Sequence, residues 1–106
     1  MKKVIIKISH SELQTLFNLI KEYRLDESSD MDVMVFFILS KVYRRIFTML
    51  LAYNPDVKNK DKKFTVKQAE AVALRLFLNK IYASNFDDYS KNVALRIINT
   101  INQQLS

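Results

Sequence analysis

Glycine is absent from all 106 residues, where ordinary usage would supply about seven per hundred. That absence excludes glycine-rich phosphate loops of the P-loop or dinucleotide type, whose turns need backbone conformations cheap only for glycine. Asn-Gly hairpin turns are missing for the same reason, which argues against a sheet-rich fold. A single proline, Pro55, leaves helices free to run without interruption. Cysteine is also absent, so disulfides, thiol nucleophiles and cysteine-ligated zinc or iron–sulfur sites are excluded. Lack of cysteine suits a reducing compartment, and a cytoplasmic location is the expectation. The one histidine, His10, has Glu12 as its nearest acid, two positions on and not facing it on a helix. It is expected to sit exposed in a first helical turn rather than to act as catalyst or ligand.

Long apolar runs are scarce as well. The longest unbroken one, Val33 to Leu39, is far short of the ~20 residues a membrane span needs. Lys41, Arg44 and Arg45 interrupt any longer window, and the basic start Lys2–Lys3 is followed only by "VII" before Lys7, too short for a secretion signal. No membrane association is expected. The acids Asp26, Glu27, Asp30 and Asp32 lack the glycine and terminal glutamate of a calcium loop and read better as helix caps. No metal, cofactor, catalytic residue or small-molecule substrate is expected, and the chain reads as a non-enzymatic protein.

What the chain does contain is apolar content of 49%, enough for one core, and a net charge of +6. Residues 3–8, "KVIIKI", alternate Val4, Ile6 and Ile8 with Lys3, Ile5 and Lys7, as in a strand buried on one face. Ser9 and Glu12 then form a capping box that opens a helix over 10–25, with Leu13, Leu16, Phe17 and Ile20 on its apolar side. Ser29 and Asp32 form a looser cap for a second helix over 31–54. This helix has two apolar seams, Val35, Ile38, Leu39, Val42, Ile46, Met49 and Tyr53 on one and Phe36, Tyr43, Phe47 and Leu50 on the other. Lys41, Arg44 and Arg45 form a wet basic edge between them, away from the aromatic seams.

Residues 54–61 read as a polar linker, with Lys58 and Lys60 in it and Lys62 and Lys63 just beyond. "FTVK" reads as a second short strand, although Thr65 with Gln68 offers a competing cap that would start the next helix early and abolish it. Helices over 68–83 and 89–104 follow, the last with Val93, Ile97, Ile98, Ile101 and Leu105 on one side. The expected fold is therefore mostly α: a single domain of four helices with up to two short strands.

Placing Lys2 above Lys62 aligns "KKVIIKISHSELQTLF" with "KKFTVKQAEAVALRLF" at an offset of 60, with Lys2, Lys3, Lys7, Leu16 and Phe17 meeting identical residues. Each half, 1–53 and 62–106, would then be strand, helix, helix. That order, with a basic β-branched strand running into a capped helix, resembles the ribbon-helix-helix family of DNA-binding proteins. The resemblance implies two strands paired as an antiparallel ribbon in the major groove, presenting Lys3, Ile5 and Lys7 beside Lys63, Thr65 and Lys67. In that family the start of the second helix grips a phosphate, whereas here it carries acids in both halves, Asp87 and Asp88 in the second. The expected partner is nucleic acid, with Lys41, Arg44 and Arg45 as further backbone contacts. The alternative is a protein partner or self-association through Phe36, Tyr43, Phe47 and Leu50.

Overall fold

A computed structural model of the chain describes residues 2–22, 30–52, 62–83 and 87–105. The order is β1 (Lys3–Ile8), α1 (His10–Glu22), α2 (Asp30–Leu51), β2 (Lys62–Lys67), α3 (Gln68–Ala83) and α4 (Asp88–Leu105). Strand, helix, helix occurs twice, and the expected mostly helical fold of four helices and two strands is what forms. The Ser29–Asp32 cap, Tyr53 and the linker 54–61 lie outside the described residues.

The two strands pair with each other, antiparallel, with Lys3 opposite Lys67, Ile5 opposite Thr65 and Lys7 opposite Lys63. Alternation decides the rest. Val4, Ile6, Ile8, Phe64 and Val66 turn inward and are buried, and the intervening residues face out. Burying five such side chains contributes on the order of 10 kcal/mol gross, far more than repulsion between exposed lysines costs. The competing Thr65–Gln68 cap does not form, because β2 continues through Lys67 and the Glu70 carboxylate accepts the Lys67 amide at 2.8 Å instead.

Beneath the ribbon the helices close a ring in which α1 packs on α2, α2 on α3, α3 on α4 and α4 on α1. Their inner sides supply Leu13, Leu16, Leu39, Ile46, Leu74, Phe77, Ile97 and Ile101, all essentially inaccessible. Counterpart helices begin 58 positions apart, His10 with Gln68 and Asp30 with Asp88. The same spacing pairs buried Leu13 with Ala71, Leu16 with Leu74, Leu19 with Phe77 and Ile20 with Leu78. The offset of 60 read from the lysines is thus two residues out for the helices. An even slip keeps every strand residue on its face, which is why the ribbon faces survive the error.

Candidate nucleic-acid interface

Where β1 and β2 run into α1 and α3, the helix starts are capped by local bonds. Ser9 and Glu12 form the expected box: the Ser9 amide donates to Glu12 Oε1 at 3.1 Å and the Glu12 amide to Ser9 Oγ at 3.2 Å. Glu70 plays the Glu12 part in the second half. His10 opens α1 half-buried, not exposed as expected. Partial burial disfavours the charged form of Glu12, but the Ser9 amide and hydroxyl and the Arg96 guanidinium outweigh it and hold the carboxyl below its usual value.

Two arginines then join the halves crosswise. Arg96, on α4, donates through Nε to Glu12 Oε2 at 2.7 Å and through Nη1 to the Lys7 carbonyl at 3.0 Å. Arg45, on α2, donates through Nη2 to Glu70 Oε1 at 2.6 Å and through Nη1 to the Thr65 carbonyl at 3.1 Å, with its guanidinium over the Phe64 ring. Each arginine therefore ties a second helix to the strand and capping acid of the other half. Gln104 completes the closure, its amide bonding both the N–H and the C=O of Ile5 at 2.8 and 2.6 Å. The outer edges of the ribbon are occupied at these positions, which interrupts the row of free backbone groups that another strand would need.

What remains open is the outward face. Lys3, Ile5, Lys7, Lys63, Thr65 and Lys67 are all exposed there, as expected. Because the Ile5 and Lys7 carbonyls point away from β2, these are the closely approaching, non-hydrogen-bonded pairs of the ladder. Two lysine pairs, Lys3–Lys67 and Lys7–Lys63, consequently face each other directly on either side of Ile5–Thr65.

The basic edge of α2 is split. Lys41 and Arg44 are exposed, but Arg45 is committed to Glu70 and Thr65, a contact its sequence neighbourhood gave no sign of. The Lys41 ammonium lies 5.6 Å from the centre of the exposed Phe37 ring, an aromatic that belongs to neither seam. Phe36 and Phe47 are each almost half exposed, whereas Tyr43 and Leu50 are partly buried against the core, and Phe17 stacks on Tyr43 at 4.6 Å. Phe47 also stacks on Phe17, at 6.0 Å, while keeping one side exposed, so the second seam is only partly covered within the chain. Beside it, Met34, Val35 and Ile38 of α2 and Ala69, Val72 and Leu76 of α3 line an apolar groove of about 670 Å³.

The start of α4 is closed to ligands by its own residue. Asp87 accepts from the Ser90 amide at 2.8 Å and the Ser90 hydroxyl at 3.0 Å, and these bonds hold its carboxyl below the usual value. The side chains of Asp30 and Asp32 lie outside the description. Among the described residues no helix is long and apolar enough to cross a membrane, and no three His, Asp or Glu side chains gather as metal ligands.

No family model matches the chain, and neither a curated protein nor a solved structure matches it.

Proposed function

We propose that the chain is a non-enzymatic binding protein that associates with double-stranded nucleic acid through the outward face of its ribbon. The observation that carries the reading is the placement of Lys3 opposite Lys67 and Lys7 opposite Lys63 on an exposed, edge-closed ribbon. Like charges directly opposite cost stability, and a polyanion lying along the face turns that cost into attraction. The antiparallel pairing is also the one that the ribbon-helix-helix resemblance implies, here supplied by one chain. A two-stranded ribbon has the dimensions of a major groove, where lysines donate to guanine edges and the Thr65 methyl can meet thymine. The test is duplex binding as a function of salt. Binding that weakens steeply with salt, and is lost when Lys3, Lys7, Lys63 and Lys67 become glutamate, supports the reading; undetectable binding at low salt ends it.

A second reading, self-association, is favoured by exposed apolar side chains on α2, among them Met34 at 63% and Phe37 at 66% exposure. An isologous contact needs one face that carries both ridge and groove, and α2 offers the exposed Met34 at the apolar groove it shares with α3. It predicts a dimer by light scattering that persists at high salt and dissociates on Phe36→Asp or Phe47→Asp. A monomer throughout the micromolar range rules it out.

A further inference from the structure

With Asp87 capping α4, a phosphate must find its donors elsewhere. The opposite ends of the ribbon are not alike. At the Lys3–Lys67 end, Lys67 borders the apolar groove between α2 and α3. At the Lys7–Lys63 end there is a shallow hollow of about 550 Å³, lined by Ile5, Lys7, Lys63, Arg96, Thr100 and Gln104. No carboxylate lines it. Glu12, the acid nearest in contact, is already bound to Arg96.

We infer that this hollow is a phosphate-binding site, and that it seats one phosphate group at the Lys7–Lys63 end of the ribbon. The inference rests on the nucleic-acid reading for its source, a backbone phosphodiester, but the chemistry recognised is a phosphate oxygen set.

Donors are available and held in place. A guanidinium has five N–H groups, and the bonds of Arg96 to Glu12 and the Lys7 carbonyl leave two unspent. Gln104 uses one of its two amide hydrogens on Ile5, leaving the other. Lys7 and Lys63 add two ammonium groups from directly opposite positions. The two α4 side chains are anchored to backbone, so they lose little further freedom when they meet a ligand. Thr100 spends its hydroxyl hydrogen on the Arg96 carbonyl and serves only as wall.

Arg96 and Gln104 also clamp and close the ribbon, so the hollow reuses donors that the fold already fixes in place. Arg96, Thr100 and Gln104 are the ninth, thirteenth and seventeenth residues of α4, and the same positions of α2 hold Ile38, Val42 and Ile46. Val42 and Ile46 are fully buried, so α2 turns these positions to the core and makes its own clamp from Arg45.

The experiment is a titration of the intact chain with inorganic phosphate, followed by amide and arginine Nε resonances, against sodium chloride at matched ionic strength. Saturable shifts confined to Ile5, Lys7, Lys63, Arg96 and Gln104 are expected, with Lys3 and Lys67 unmoved. The exposed pair Lys7→Gln and Lys63→Gln should abolish them without altering the far-ultraviolet circular dichroism. Shifts that are unsaturable, or spread evenly over all lysines, overturn the site. A short duplex that displaces phosphate from these residues supports both the site and its source. Saturable phosphate binding with no duplex binding at low salt keeps the site, assigns it to a free phosphate or phosphorylated small molecule, and ends the nucleic-acid reading. Duplex binding with no phosphate response in the hollow ends the site alone.

Discussion

Gln104 holds Ile5 by both of its backbone groups, so a side chain near one end of the chain closes the edge of a strand near the other, 99 positions away. Replacing it with alanine leaves the Ile5 N–H and C=O without that partner. Gln104→Ala should lower stability by about 1–2 kcal/mol, read as a shift of the urea midpoint at unchanged slope. It should also raise self-association through β1, seen by light scattering at high concentration.

Lys63→Glu separates stability from binding. It converts the Lys7–Lys63 repulsion into attraction, so the variant should be more stable than the parent by about 0.2–1 kcal/mol. Under the proposed function its duplex affinity should fall. A variant less stable than the parent contradicts the cross-strand geometry; one that binds duplex as well as the parent contradicts the role of the face.

The salt dependence of duplex binding should shift with single neutral substitutions. Lys7→Gln or Lys63→Gln, each removing one phosphate contact, should reduce the slope of log K against log salt by about one. Lys80 and Lys91 lie off the ribbon on α3 and α4, and Lys91→Gln should leave the slope unchanged.

Acid should weaken the Glu12 clamp. Its carboxyl titrates lower folded than unfolded, so its contribution is present above the ordinary glutamate value of 4.5 and disappears as pH falls through the depressed folded value. Unfolding midpoints measured from pH 7 down to pH 3 should fall for the parent chain. Glu12→Gln should be less stable at pH 7, by about 1 kcal/mol, and show a shallower loss in acid.

Phe77 is 1% exposed at the centre of the core, and Phe77→Ala should cost about 3–5 kcal/mol. Phe37→Ala, on the exposed side of α2, should cost less than about 0.5 kcal/mol. Equal losses would mean that α2 does not face solvent there.

Much of the ribbon was legible from residues 3–8 and 62–67, because a period of two assigns faces once a strand forms. The Ser9–Glu12 box was legible for a similar reason, since both partners lie within one helical turn. The roles of Arg45, Arg96 and Gln104 were not. Their side chains are long enough to reach elements 20 to 99 positions away, and nothing local distinguishes an arginine bound for a carboxylate from one left in water. The unequal use of the second α2 seam was equally hidden, because Phe36, Tyr43 and Phe47 share one helical stripe yet Phe17 of α1 stacks on Tyr43 and Phe47.

Short-range order, then, came from the chain itself: where helices begin, which strand residues turn inward, and what chemistry a composition without glycine or cysteine forgoes. Only the assembled fold decided that the two strands pair with each other, that their lysines stand opposite, and that one end of the ribbon gained polar donors while the other bordered an apolar groove. Alternation and capping are set by neighbours within a turn, whereas pairing, edge closure and the convergence of charge depend on which distant surfaces must be buried together.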